Sequence, residues 1–246
     1  MTTDQVIALG VGLFTAVGAF AAFASAFATF RTVREIAKQR EASYRPELVI
    51  PRTLIKGNGS VKRSLPDNWV SASESSNQFT SAPWFAIPLH NIGLGAARNI
   101  IVNWSFPLNE MVKEVNTLAH RSSTQALFVA DSGALSIKWE GQGDRVVMNR
   151  LPNVIDYVLP AAIQKEPVML PLSLAYIELS SALVFFAKDH ILDIPALDAT
   201  VEYLDIGGQR YRAAFEIKLH IEVLFCSDGS FFGYLEACRK MVNRLD

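Results

Sequence analysis

The sequence predicts a mainly β protein that begins with one transmembrane α-helix. Three observations support this prediction. Every residue from 6 to 30 is uncharged, and roughly 20 apolar residues are enough to cross a bilayer. Several segments after residue 84 alternate apolar and polar residues, which is the period of a strand with one buried face. Turn residues separate these segments, as in a β-sandwich or an open barrel. We therefore divide the chain into 1–43, the helix with a basic stalk, and 44–246, the β domain.

The composition favours a membrane protein and argues against a broad nucleic-acid surface. Half of the 246 residues are hydrophobic and 19% are charged, whereas soluble domains usually carry about 25% charged residues. The formal net charge is −1, so we expect no nucleic-acid partner. Cys226 and Cys238 have no metal-ligand spacing. They are expected to be reduced thiols, which suits a cytosolic domain.

The N-terminal apolar run has two interpretations. Ala24-Ser25-Ala26 has the small-x-small form of a cleavage site, so the run could be a signal peptide. However, the residues before the run include Asp4 and no basic residue, and the run is longer than the apolar part of a signal peptide. These features favour an uncleaved anchor, with the lipid bilayer as its first partner.

The charges that flank the span predict its orientation. No basic residue precedes the span, whereas four follow it against Glu35 and Glu41. The positive-inside rule places such a segment in the cytoplasm. We expect a single-pass protein of the plasma (inner) membrane, with its N-terminus outside and its C-terminal domain in the cytoplasm. The juxtamembrane basic residues are Arg31, Arg34, Lys38 and Arg40.

One face of the predicted helix carries small and hydroxyl residues, spaced three and four positions apart. Small residues allow helix backbones to approach closely. This face therefore predicts packing against another helix, in a homo-oligomer or with a membrane or cytoplasmic partner protein. The alternative is that small residues are simply common in membrane spans. The small-residue face consists of Thr15, Gly18, Ala22, Ser25 and Thr29, and the opposite face carries Phe20, Phe23, Phe27 and Phe30.

The segments that follow the span are predicted in chain order. The helix should continue through 31–42 and end before Pro46, because proline disfavours a helical conformation at the preceding residue. A short strand is expected at 47–50. Residues 56–82 lose all periodicity and predict a long, flexible loop.

Alternation returns in the rest of the domain. Residues 84–91 predict a strand whose Pro88 indicates an edge or a bulge. A turn at 205–209 joins the last two alternating runs as a hairpin. The alternating runs are 100–106, 135–140, 197–203 and 211–225.

Helices are expected to interrupt and end the β domain. Short helices are predicted at 109–121 and 180–190, and a C-terminal helix at 231–244, where apolar residues share a helical face. Residues 168–187 carry one charge, Glu178, and could form a second span. Two prolines near its start and the cost of a mid-bilayer carboxylate argue against this. We expect a buried strand at 168–176 and then a buried helix.

No motif predicts catalysis, a cofactor or a metal site. The glycines of 93–97 imitate a dinucleotide-binding loop, but an alternating strand follows where that loop requires a helix. The four histidines are scattered without metal-ligand spacing. Ser180 and Ser181 lie near Asp189-His190, but no nucleophile elbow accompanies them. We expect a protein that is not an enzyme. The alternative is a membrane-anchored hydrolase with an unrecognised site.

A short resemblance completes the sequence argument. Asn91-Ile92-Gly93 with Ala96-Ala97, followed by the alternating 100–104, resembles the strand–turn–strand of immunoglobulin-like and cell-adhesion-related β-sandwich modules. The 201–205 segment with Gly207-Gly208 is similar to their closing hairpin. The resemblance covers 84–225 and implies a binding or scaffolding module, here on a bacterial membrane anchor, without a catalytic residue. A sensor or an oligomeric, membrane-perturbing effector of the kind found in some prokaryotic defence systems would fit this description.

Overall fold

The computed structural model describes residues 3–60, 63–71, 85–122, 124–131, 134–139, 143–148, 153–187, 193–225 and 230–245. The chain divides into two compact units, Met1–Arg45 and Pro46–Asp246. The first unit is one long helix. The second is a mainly β domain with its own hydrophobic core, so the predicted fold class is confirmed.

The first unit consists of helix α1, Thr3–Ser43, which is 41 residues long. At about 1.5 Å per residue it extends roughly 60 Å. It ends shortly before Pro46, as the sequence predicted, because proline excludes a helical conformation at Arg45. The predicted continuation of the helix beyond the apolar run is therefore confirmed.

The β domain is built from strands and two helices over the residues that the structure describes. These elements are β1 (Leu48–Val49), β2 (Thr53–Ser60), β3 (Arg63–Ser71), β4 (Ala86–Asn91), β5 (Ala97–Ser105), α2 (Leu108–Arg121), β6 (Ala126–Asp131), β7 (Ala134–Trp139), β8 (Gly143–Met148), β9 (Asn153–Val158), β10 (Val168–Pro171), α3 (Leu174–Ala187), β11 (Leu197–Leu204), β12 (Arg210–Leu224) and β13 (Phe231–Leu245).

The strands form three antiparallel sheets around the core. The largest has seven strands in the order β3-β2-β13-β12-β11-β5-β9, and the smaller sheets have the orders β1-β4-β10 and β6-β7-β8. A bridge between Asn91 and Pro160 links the end of β4 to the chain just after β9. The connection between β4 and β5 lies beside this bridge.

The β11–β12 hairpin shows how the alternating pattern becomes structure. Leu197, Val201 and the other apolar residues of β11 point into the core at every second position. In the turn, the Asp205 carboxylate accepts a hydrogen bond from the Gln209 backbone N–H at 2.8 Å. Gly208 adopts a φ of 85°, a conformation that glycine tolerates best. The predicted hairpin is confirmed.

The two internal helices were predicted with different accuracy. Helix α2 lies where the sequence placed it, whereas α3 begins at Leu174, six residues earlier than expected, and β10 is correspondingly shorter. Ser173 explains the early start, since its hydroxyl accepts a hydrogen bond from the Tyr176 N–H at 3.4 Å and so caps the first turn. Helix α3 is almost wholly buried, as expected of a core helix.

The predicted C-terminal helix is wrong. Residues 231–245 form β13, which pairs with β12 along nearly its full length. Phe231, Gly233 and Leu235 are buried at alternate positions, which is the period of a strand. A side chain at position 233 would overlap the backbone carbonyl of His220. Cross-strand pairing therefore outweighs the apolar helical stripe that favoured a helix.

The predicted loop at 56–82 is corrected over its first part. Residues 53–60 and 63–71 form the β2–β3 hairpin, which extends the large sheet beside β13. Trp69 anchors the hairpin, because its ring packs edge-on against Phe85 and Phe231. Residues 72–82 lie outside the described residues.

The proline in β4 has a local explanation. β4 is the central strand of its sheet, not an edge as the sequence suggested. However, β1 pairs only with Asn91 and His90, so at Pro88 the ladder has a partner only on the β10 side, opposite Met169. A missing N–H is tolerated there as it is on an edge strand.

Candidate functional site

Helix α1 is the first candidate site because it is apolar and exposed. Every side chain from Phe14 to Gln39 is exposed. By length and composition, α1 is long and apolar enough to cross a membrane over Phe14–Gln39. This range overlaps the predicted span, 6–30, over positions 14–30, and the side chains of 5–11 and 13 lie outside the described residues.

The small-residue face lies entirely within α1, so its five residues share one side of a continuous helix. A Cβ added at Gly18 would meet no other atom within 4 Å. The Thr29 hydroxyl donates to the Ser25 carbonyl within the helix at 2.9 Å, and its lone pairs remain acceptors. Packing of this face against another helix stays a prediction.

The four juxtamembrane basic residues occupy the last third of α1. Lys38 forms an ion pair with Glu35 at 3.5 Å, and both side chains are more than half exposed. An exposed pair of this kind contributes about 0–1 kcal/mol. Arg31 and Arg34 lie on the same helix nearer the apolar run. The orientation that these charges predict remains an expectation.

The serines that sequence analysis weighed as nucleophiles are part of the core. Both Ser180 and Ser181 are fully buried on α3. The Ser181 hydroxyl accepts a hydrogen bond from the Trp69 indole at 2.8 Å, which ties the β2–β3 hairpin to α3. Asp189 and His190, the other residues of that arrangement, lie outside the described residues.

Tyr176 on the same helix also has a structural environment. Its hydroxyl donates to the Pro195 carbonyl at 2.9 Å. Burial raises the pKa of this phenol well above its usual value, because the charged form loses its hydration. The nearby Ser180 hydroxyl lowers the pKa of Tyr176, but this effect is smaller than that of burial. Among the described residues, the Ser180 hydroxyl has no partner with good hydrogen-bond geometry. This helix therefore supports the fold.

The histidines and acidic residues do not assemble into a metal site in the part of the chain that the structure describes. No group of three or more His, Cys, Asp or Glu side chains there could hold a metal ion. His220 instead stacks on the Tyr234 ring, with centroids 4.7 Å apart.

The buried Asn91 side chain forms hydrogen bonds with four backbone groups. The sequence analysis considered this residue only as part of a resemblance. We call it the Asn91 hub. Its carbonyl accepts hydrogen bonds from the Glu47 N–H at 2.9 Å and the Gly93 N–H at 3.1 Å. Its amide donates to the Gly95 carbonyl at 2.6 Å and the Val158 carbonyl at 3.2 Å. The glycines of 93–97 thus shape a tight strand connection around this side chain.

A group of arginines at one end of the large sheet was missed entirely. Arg210 and Arg212 bind the two carboxylate oxygens of Glu202 at 2.7 and 2.6 Å. Hydrogen bonding from Arg212 holds the pKa of Glu202 below its usual value. Arg98 donates to the Asp205 carbonyl at 3.1 Å, and Arg244 donates to the Gln209 side chain at 2.6 Å. Arg98, the Arg210–Arg212 pair and Arg244 are far apart in the sequence, and only the strand register brings them to one end of the large sheet.

A second exposed surface, the aromatic face, lies across β2, β13 and β12. The Arg52 guanidinium lies 3.3 Å from the centroid of the Tyr234 ring, and the Lys56 ammonium lies 5.3 Å from that of Phe232. Phe225 packs edge-on against Phe232, and both are exposed. We call the group Arg52, Lys56, Phe225, Phe232 and Tyr234 the aromatic face.

Comparison with known proteins assigns no family to the chain. No protein-family model matches it. No curated protein matches its sequence significantly, and no solved structure matches its fold significantly. A β-rich domain after one apolar helix agrees in outline with a β-sandwich on an anchor. The immunoglobulin-like resemblance remains a prediction from the residues alone.

Proposed function

We propose that this chain is a single-pass membrane-anchored binding module, in which the β domain recognises a partner or signal in the cytoplasm and α1 assembles with other copies. The observation that supports this most directly is the exposure of a long apolar helix that precedes, in the chain, a domain with its own hydrophobic core. Assembly would couple recognition to the membrane, as in a sensor or a membrane-perturbing effector.

The phenylalanines of α1 explain why such a helix requires lipid. Phe14, Phe20, Phe23, Phe27 and Phe30 are 62–80% exposed. Full burial of a phenylalanine contributes about 1.5–3 kcal/mol, so transferring these partly exposed rings to lipid contributes roughly 5–10 kcal/mol in total. A soluble protein rarely leaves so large an apolar surface in water.

The aromatic face supports partner recognition by the domain. Aromatic residues and arginine are enriched at protein interfaces and dominate their binding energy. Here Phe225 and Phe232 are exposed beside Lys56, while Arg52 covers one side of Tyr234. Lys56, Phe232 and Tyr234 lie on the paired strands β2 and β13, and Arg52 and Phe225 directly adjoin β2 and β12.

Anchoring and orientation are tested by extraction and protease protection of the full chain in a bacterial inner membrane. We expect the protein to resist alkaline extraction and to require detergent. A C-terminal tag should be protected in intact spheroplasts and digested after lysis, whereas an N-terminal tag should be accessible from outside. Digestion of the C-terminal tag in intact spheroplasts would contradict the orientation, and release by alkali would contradict the anchor.

Assembly through α1 is tested by crosslinking in the membrane. Replacing Gly18 and Ala22 with leucine should abolish crosslinked oligomers, because bulky side chains keep the helix backbones apart. The matched control is Phe20→Leu with Phe23→Leu on the opposite face, which should leave crosslinking unchanged. Equal crosslinking by both variants would refute a role for the small-residue face.

A further inference from the structure

Three loops of the β domain lie close to Pro46, which is the first residue of the domain. The Tyr203 hydroxyl donates to the Pro46 carbonyl at 3.5 Å, and the Ile92 N–H donates to the Glu47 carbonyl at 2.8 Å. The bridge between Asn91 and Pro160 brings the chain after β9 to the same place. We call this end of the domain the arginine end; it is formed by 46–47, 92–96, 159–164 and 205–209, together with Arg98, Arg210, Arg212 and Arg244 at the adjoining ends of β5, β12 and β13.

The loop tips at the arginine end expose large aliphatic side chains. Single exposed aliphatic residues are ordinary on protein surfaces. Four exposed aliphatic residues on the tips of three neighbouring loops are less ordinary, because they can insert together into an apolar environment. They are Ile92, Leu94, Ile163 and Ile206, which are 58–69% exposed.

The arginines add positive charge around these tips. Arg98, Arg210, Arg212 and Arg244 lie on the strands that meet the 205–209 turn. The carboxylates at this end are Glu202, which binds two of the arginines, Asp205, which accepts from the Gln209 N–H, and Glu47, which pairs with Arg239 at 2.8 Å. Five arginines against three carboxylates leave these described residues with a net positive charge, although the whole chain has a net charge of −1.

We propose that the arginine end docks onto the anionic headgroup surface of the membrane that α1 crosses, an inference that rests on the proposed anchoring. Aliphatic side chains that enter the headgroup layer beside basic residues are the usual chemistry of a surface bound to anionic lipid. Scattered aliphatic tips suit a lipid surface better than a protein partner, which requires a closely packed apolar centre.

Chain length places this surface within reach of the bilayer. Only Tyr44 and Arg45 separate the end of α1 from Pro46, and three residue steps extend at most about 10 Å. The uncharged run 6–30 covers roughly 38 Å at about 1.5 Å per residue, and the helical residues after it, up to Ser43, extend α1 by roughly 20 Å. Membrane helices are commonly tilted by about 20° or more, and such a tilt brings the end of α1 closer to the headgroup layer. The short connection also gives the docking surface a high effective concentration at the membrane.

Site-directed spin labelling of the full chain in proteoliposomes tests the proposal. Cys226 and Cys238 are replaced by serine, and a single nitroxide is attached at Ile206→Cys or Ile163→Cys. Two reference sites are Phe20→Cys in α1 and Phe225→Cys, which follows β12 at the opposite end, about 50 Å from Arg210 at roughly 3.3 Å per residue. Collision with oxygen and with a water-soluble nickel chelate distinguishes lipid from water. The vesicles contain phosphatidylcholine alone or mixed with phosphatidylglycerol.

With phosphatidylglycerol present, the nitroxides at 206 and 163 should be lipid-like and the nitroxide at 225 water-like. Water-like labels at 206 and 163 beside a lipid-like label at 20 would overturn the docking while leaving the anchor intact. A water-like label at 20 would overturn the proposed anchoring and the docking with it.

Neutralising two arginines provides the charge test. Arg210→Gln with Arg244→Gln should lower the ratio of docked to undocked domain by about 25-fold in the mixed vesicles, since each basic residue near an anionic surface contributes roughly fivefold. The matched control is Lys113→Gln with Lys218→Gln, which removes two exposed charges elsewhere and should change the ratio little. An unchanged ratio in the arginine variant, with its circular dichroism spectrum and melting temperature retained, would refute electrostatic docking.

Discussion

Replacing Ser181 with alanine is expected to destabilise the β domain, because it removes the acceptor of a buried hydrogen bond. The Trp69 indole N–H donates to the Ser181 hydroxyl at 2.8 Å. Ser181 is fully buried and Trp69 is 5% exposed. Water therefore cannot replace the lost acceptor without a local rearrangement.

The expected magnitude follows from the cost of an unsatisfied buried donor, about 1–3 kcal/mol. For a domain of this size, 1 kcal/mol shifts the melting temperature by about 2–4 °C, so the decrease should be roughly 2–12 °C. Ser180→Ala is the matched control. Its hydroxyl is equally buried on the same helix but has no hydrogen-bond partner among the described residues, so its loss should change stability by about 0.5 kcal/mol or less.

Thermal and urea unfolding of the full chain in detergent, followed by circular dichroism, measures both variants. The contrast between neighbouring serines separates the hydrogen bond from a general effect of alanine in α3. Equal unfolding midpoints for the two variants would show that the hydrogen bond from Trp69 to Ser181 does not stabilise the domain. They would also contradict the anchoring of the β2–β3 hairpin on α3.

Three further changes test other parts of the domain. Gly233→Ala should lower the free energy of unfolding by more than about 2 kcal/mol, because the added Cβ overlaps the His220 carbonyl; unfolding by urea measures it. Asn91→Ala should lower the free energy of unfolding by about 3 kcal/mol or more, since it removes four side-chain hydrogen bonds to the backbone, two of them buried; an unchanged urea midpoint would show that these hydrogen bonds do not stabilise the domain. Glu202 has a lowered pKa, so its contribution to stability is present above the unfolded pKa of about 4.5 and is lost as the pH falls through the folded value. Glu202→Gln should therefore weaken the decrease in the free energy of unfolding at acid pH, measured by urea unfolding over a pH series. An unchanged pH dependence would show that the contact with Arg212 does not contribute to stability.

The elements that sequence reasoning predicted correctly are those whose signal is local. β11 and β12 alternate strongly and are joined by a short turn, so pattern and partner lie next to each other in the chain. The apolar run of α1 is a similar case, because its length alone indicates a span. For such elements, composition and period are sufficient.

The elements that were predicted wrongly have no clear alternating pattern of their own. Residues 231–245 contain good helix formers with an apolar helical stripe, and only pairing with β12 makes them a strand. β2 and β3 have few apolar residues, and their buried positions include Gly57, whose missing side chain makes room for Phe231. A contact of that kind leaves no periodic signal in the sequence.

The arginines were missed for a different reason, because they are distant from one another in the chain. Arg98, Arg210 and Arg244 lie in separate parts of the chain, and each alone is an ordinary surface residue. The registers of β5, β11, β12 and β13 bring them together at the 205–209 turn. The small-residue face could be identified from the sequence alone, because residues three and four positions apart lie on one side of a helix.

The two proposals together determine which surface the domain offers to a partner. The arginines lie at one end of the large sheet and the aromatic face lies towards the other end, since β12 runs from Arg210 to Leu224. If the arginine end docks on the headgroups, Phe225 and Phe232 lie away from the bilayer, at a distance set by the length of the strands. Assembly of α1 would then array several aromatic faces side by side, and a partner with repeated sites would bind more tightly through avidity than through any single contact.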